Sequence, residues 1–301
     1  MKRKFHIPAG IAYVLQHPLA FSVRVLTAFR ANQGLLLAGA VAYYALLSIV
    51  PLLILIVIAL SHVIDQAELL ATLRRALEYI VPGQSKALVT ELSAFLDNGA
   101  VVGWVLFGTM LFFSSLAFNV LESAMSVIFL HRMGVQKRHF TVSLLLPFGY
   151  ILFISALLFI GTYLLADLVA IGNARFDIAG HTWSLDGISR LSLFLGGMAA
   201  EILLISSIYY FMPVGRLSAS HALIGGTTAG LLWEIIRYGL AWYFGTLSQV
   251  SVVYGSLTTA IIVLLSLEIM ATLLLFGAQV IAMYESIGDD KQQNQPVSIQ
   301  A

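Results

Sequence analysis

The chain has 301 residues, 59% of them hydrophobic and 10% charged, against about 45–50% and 25% in soluble domains. Its 16 Lys and Arg nearly balance 15 Asp and Glu, so net charge points to neither an acidic nor a nucleic-acid partner. The apolar excess makes this an integral membrane protein, and apolar segments recurring from residue 34 to 284 make it one membrane domain; cysteine is absent, which excludes disulfides, thiolate chemistry and Cys metal sites.

Residues 1–33 form a basic segment with Lys2, Arg3, Lys4, Arg24 and Arg30. Within residues 11–31, Phe21, Val25 and Phe29 recur at helical spacing opposite Arg24 and Arg30. That pattern fits a helix lying in the membrane interface, and equally an ordinary connecting helix. A spanning helix needs about 20 apolar residues. Six segments supply them, at about 34–63, 100–130, 140–171, 188–213, 218–245 and 253–284. The first starts too late and runs too long for a secretory leader, so it reads as an uncleaved span. Pro51 and Pro147 remove backbone donors and are candidate kinks. Between the first two spans, residues 66–97 carry leucines at helical spacing on both sides of "VPGQ". They predict two short amphipathic helices capping the outer face. Residues 285–301 read as a polar, disordered tail.

The fold class is therefore an all-α membrane domain over 34–284, a six-helix bundle with an outer helical hairpin and an N-terminal interfacial helix. Lys and Arg concentrate in the first 30 residues and in "HRMGVQKRH", residues 131–139. The excess of Lys and Arg on cytoplasmic loops then places both termini and the 131–139 connection on the cytoplasmic side.

Five charged residues lie well inside the spans, away from their ends. Glu234 and Arg237 sit one turn apart in "GTTAGLLWEIIRYGLAWYFG", Glu201 lies midway along "GGMAAEILLISS", Glu268 midway along "VLLSLEIMATLL", and Glu122 in the inner half of the second span. A charge at a helix centre costs about 2.5–3.5 kcal/mol on insertion scales. These groups are expected to converge on the bundle interior, with Arg237 offsetting Glu234. They can act as a pathway that exchanges protons or holds a cationic group, Arg237 attracting an anionic head group. The other reading is a polar network that fixes helix register. "GGTTAG" and "GGMAA" supply small residues just before Glu234 and Glu201, as close packing of the fourth and fifth spans requires.

The seven His show no HExxH or HxH spacing, and there is no GxSxG, Walker loop or mid-membrane Asp pair. No basic face is interleaved with aromatics. We therefore expect no enzyme, no metal and no cofactor. The expected partners are membrane lipids and a small or lipidic anionic substrate, with no nucleic acid; a homo-oligomer is compatible with the sequence.

At "LAGAVAYYALLSIVPLLIL" and "LLWEIIRYGLAWYFGTLSQVSVVYGSLTTAIIVLL" the chain resembles the YihY/BrkB family of bacterial inner-membrane proteins, and the likeness runs over nearly all of residues 20–284. Tyr44, Ser48 and Pro51 fit its first-span pattern, Trp233, Glu234 and Tyr238 its fifth, and Tyr254 and Gly255 the turn into its sixth. The resemblance implies six spans, with transport or envelope lipid export among the roles proposed for the family. It gives no support to the nuclease label once attached to that family. Two places depart from the family pattern: "LLSLE" stands for "LLWLY", and "GAQV" for "GAEL". Glu268 is thus a feature of this chain, and Gln279 replaces an acid. Two functions follow as expectations: a secondary transporter or exporter of envelope lipid or amphiphile, and a non-transporting scaffold whose buried charges only set packing.

Overall fold

The computed structural model describes residues 14, 16–61, 65, 67–72, 74, 89–90, 93, 104–129, 145, 148–157, 161, 175–178, 181–184, 186–212, 217–247 and 256–293. Inside a bilayer every backbone amide must find its partner within the protein, and helices satisfy this segment by segment. The chain accordingly folds into α1 (Pro18–Ala31), α2 (Gly34–Ser61), α3 (Trp104–Ile128), the shorter α4 (Phe148–Leu157), α5 (Asp186–Phe211), α6 (Ala219–Leu247) and α7 (Ser256–Gln293).

Three helical stretches are long and apolar enough to cross a membrane: Gly108–Ile128, Phe194–Phe211 and Ile261–Ile287. The pair Pro18–Ala31 and Gly34–Ile49, bent by 62°, makes a fourth if taken as one span. The protein is thus a multi-pass helical membrane protein, with three to four candidate spans among the described residues where the sequence predicts six. The difference has two sources. At 29 residues α6 is long enough, but Ser220, His221, Thr227, Thr228, Glu234 and Arg237 dilute its apolar run. Most of the expected third span, Pro147 included, lies outside the described residues, as does most of the outer hairpin. Of that hairpin, residues 67–72 are helical and Leu69 is buried.

Two further expectations are corrected. Residues 175–184 hold a two-stranded antiparallel ribbon, β1 (Arg175–Ile178) and β2 (His181–Ser184), in register from Arg175 opposite Ser184 to Ile178 opposite His181. Only two residues separate the strands, the shortest common hairpin connection. The polar tail is not disordered from residue 285, because α7 continues to Gln293. Its continuation is held by contacts: Ile287 is buried with Phe21, Val25 and Val280, and Glu285 meets His221.

Pro18 opens α1, where its missing N–H costs nothing. The elbow to α2 is made by Gln33 at φ 55°, the left-handed position that ends many helices. Gly34 follows because a Cβ there would overlap the Phe29 ring. The stripe Phe21, Val25 and Phe29 is buried, as its spacing predicts, and it faces α7.

α7 is the central element, packed on α1, α2, α3 and α6, while α2 pairs closely with α3 and α5 with α6. The main core gathers Phe29, Met125, Tyr209, Met212, Leu275 and Ile281. All of these lie toward one end of the bundle, the end where α1 bends into α2 and α5 leads into α6. α5 and α6 approach closely because Gly226 and Gly230 face Ile202 and Ser206, and Gly225 faces Gly277 and Ile281 of α7. The expected role of "GGTTAG" is therefore met on two sides. "GGMAA" behaves differently, since a Cβ on Gly197 would stand in open space.

Polar side chains fasten these contacts. The Ser48 hydroxyl, buried in α2, lies 2.7 Å from the Tyr44 carbonyl and 2.9 Å from the Phe113 carbonyl of α3, and accepts the Ala117 N–H at 3.2 Å. Tyr209 donates to the Leu274 carbonyl at 2.6 Å, and Tyr150 shares a 2.6 Å hydrogen bond with Ser207. α2 runs unbroken through Pro51.

Candidate functional site

The close approach of α5 and α6 at Gly226 and Gly230 decides where their acids fall. One to two turns beyond those glycines, α6 presents Glu234, and α5 presents Glu201 beside Ile202. Arg237 Nη2 donates to Glu234 Oε2 at 2.6 Å, as expected for a pair at i, i+3. Its guanidinium also lies 5.5 Å from the Tyr238 ring centroid. The pair is graded in depth, with the Glu234 side chain 14% exposed and that of Arg237 49%.

Glu201 completes the group. Glu234 and Arg237 are the charges that act on it. Its Oε1 is buried and has no hydrogen-bond partner among the described residues. A buried carboxylate oxygen without a partner forfeits its hydration for nothing in return. With two carboxyls and one guanidinium, the trio is one positive charge short when all three are ionised. A proton or a cationic group on Glu201 would balance it.

The structure thus brings together three of the five predicted residues. Glu268 stands elsewhere: its Oε1 lies 3.9 Å from the place a Cβ on Gly39 of α2 would occupy, and its carbonyl accepts the Thr272 hydroxyl. Glu122 sits on α3, flanked by the buried Leu121 and Ala124, and its carbonyl accepts the Ser126 hydroxyl. The expected convergence of acids from four helices narrows to α5 and α6.

Around the trio large apolar side chains, including Phe194, Leu195, Leu231, Ile235 and Trp242, are exposed among the described residues, as the lipid-facing surface of a spanning bundle is. The opposite end holds the core and two polar clasps that no motif announced. Asn32 at the elbow donates to Gln279 Oε1 at 2.8 Å, and His221 Nδ1 meets Glu285 Oε1 at 2.8 Å with its ring edge-on to Tyr284. Partners 247 and 64 residues apart leave no spacing signal. The one available hint for the first is Gln279 itself, a buried amide in an apolar run.

Comparison with known proteins adds the following. The family described as Virulence factor BrkB matches residues 25–300. A UPF0761 membrane protein of Rhodospirillum centenum is 26% identical over 262 residues, covering 83% of this chain and 54% of that protein. One from Photobacterium profundum is 27% identical over 265 residues, covering 85% of this chain and 76% of that protein. A third, from Halorhodospira halophila, is 27% identical over 247 residues, with 81% and 52% covered. The chain therefore spans about half the length of two of these relatives. No solved structure matches it.

Proposed function

The chain belongs to the BrkB/YihY (UPF0761) family of membrane proteins, and on that premise we propose that it is a secondary transporter or an exporter of envelope lipid or amphiphile. Its polar site is Glu201, Glu234 and Arg237. The observation that carries the reading is the buried Glu201 oxygen, unpartnered among the described residues, beside the Glu234–Arg237 pair. A carboxyl left in that condition is suited to take up and release a proton or a cationic group. Arg237, half exposed, is suited to meet an anionic head group.

The alternative, a scaffold whose charges only fix helix register, is less well supported. Register is set by bonds between helices, and the Glu234–Arg237 pair lies within one helix. Bonds between helices are made instead by Ser48, Tyr150, Tyr209, Asn32 and His221. Glu268 and Glu122 serve as supporting groups outside the trio. In the proposed orientation the protein sits in the bacterial inner membrane with both termini and residues 131–139 cytoplasmic. A tag at position 135 reached by reagents applied from outside the cell would reverse it.

The functional test is translocation of a fluorescent phospholipid in proteoliposomes. The native chain should exceed Glu201→Gln by at least about tenfold, equivalent to about 1.4 kcal/mol in barrier height. Equal rates for the native chain, Glu201→Gln and protein-free vesicles would overturn the exporter reading.

A further inference from the structure

α1 has two apolar faces, and the bundle covers one of them. Phe21, Val25 and Phe29 are buried, whereas Leu19, Val23 and Leu26, at i, i+4 and i+7 on a second flank, are 82%, 63% and 54% exposed. Arg24 lies on the far side of the helix from that exposed flank, whereas Arg30, four residues after Leu26, lies on the flank itself at its end one turn before the elbow. Charge along the chain is equally one-sided. Residues 1–64 contain Lys2, Arg3, Lys4, Arg24 and Arg30 and no Asp or Glu, the first acid being Asp65. The 62° bend inclines α1 steeply away from α2, toward the plane of the membrane surface if α2 crosses.

We propose that α1 is a docking surface for anionic phospholipid. Leu19, Val23 and Leu26 enter the hydrocarbon boundary, and Arg24 and Arg30 reach the head-group phosphates. A helix with an apolar flank, one basic residue opposite it and one at its end sits at this depth, its long arginine side chains extending to the polar layer. Anionic head groups are the matching occupant because the segment carries cationic charge alone, and each basic residue near such a surface contributes to attraction. Two features join this surface to the rest of the bundle. The buried face of α1 packs on Val280 and Ile287 of α7, and Asn32 holds Gln279. Lipid seated on α1 therefore bears on the helix that contacts most of the others. This inference is independent of what the protein transports.

The chain has no cysteine, so Val23→Cys gives one labelling site in the full-length protein. A fluorophore there is read in nanodiscs containing phosphatidylglycerol or phosphatidylcholine brominated on the acyl chains. Both lipids should quench it, with phosphatidylglycerol preferred. Arg24→Gln and Arg30→Gln should each reduce that preference about fivefold, while Arg24→Lys retains it. Both arginines are exposed, so these variants should fold, and an unchanged elution profile in detergent checks this. A label quenched by neither lipid, or an undiminished preference in the double glutamine variant, would overturn the proposal.

Discussion

Replacing either Glu234 or Arg237 alone by glutamine is expected to cost about 2.5–3.5 kcal/mol, the range for an isolated charge in the middle of a spanning helix. The double replacement should return part of that loss. Each single change leaves its partner's charge without the 2.6 Å contact that offsets it. The two losses should not be equal, because Glu234 is the deeper group and Arg237 is half exposed. Arg237→Gln strands the more deeply buried Glu234 carboxylate and should be the more damaging change. The cycle is read as thermal stability of the folded fraction in detergent for the native, single and double variants. A recovery establishes coupling. Additive losses would remove the pair as an energetic unit and make Glu201 the partner of Arg237. A double variant that is stable but inactive in phospholipid translocation assigns the pair to the pathway; one that is stable and active makes it a packing device.

Gly226→Val should also be strongly destabilising. A Cβ at Gly226 would overlap Ser206 Oγ and come within 2.9 Å of both the Ile202 carbonyl oxygen and the Ser206 amide nitrogen. The last two are backbone atoms, which no rotamer change can withdraw, so α5 and α6 would have to separate. Overpacking of this kind costs about 1–3 kcal/mol and occasionally more. The loss should appear as reduced folded yield and an earlier melting transition. Gly239 lies on the same helix with nothing within 4 Å of the position of its Cβ. Gly239→Ala should therefore stay within about 0.5 kcal/mol of the native protein. Equal losses at the two positions would mean that the close α5–α6 approach at Gly226 is not what makes that substitution costly, since Ala is the better helix former.

Much of the α-helical plan is readable from apolar run length alone. The expected spans at 34–63, 100–130, 188–213 and 218–245 correspond to Gly34–Ser61, Trp104–Ile128, Asp186–Phe211 and Ala219–Leu247. The buried face of α1 is readable because Phe21, Val25 and Phe29 are spaced four residues apart. The Glu234–Arg237 contact is readable because a helix brings i and i+3 together whatever surrounds it. Contacts between distant segments are not readable in this way. Glu201 joins the pair, and Glu268 goes to Gly39, because glycines fix how α5, α6, α7 and α2 rotate about their own axes. Sequence names those glycines without saying which neighbour each one meets: Gly225 and Gly226 are adjacent, yet one faces α7 and the other α5. The extension of α7 past residue 284 was hidden for a similar reason. Its polar composition suggests a tail, while Ile287 and Glu285 find partners on α1 and α6.

Ser48 bears on how this molecule can move. Its hydroxyl stands at one rung of another helix's backbone ladder, offering its proton toward the Phe113 carbonyl and receiving the Ala117 N–H, as a trapped water would. A water can leave or rotate; a side chain is tethered to its own helix. Sliding α2 along α3 by even a fraction of a turn would pull this hydroxyl away from both groups, in a buried place where no solvent replaces it. Any relative motion that separates α2 from α3 must therefore break this buried contact, and the two helices are held to one register.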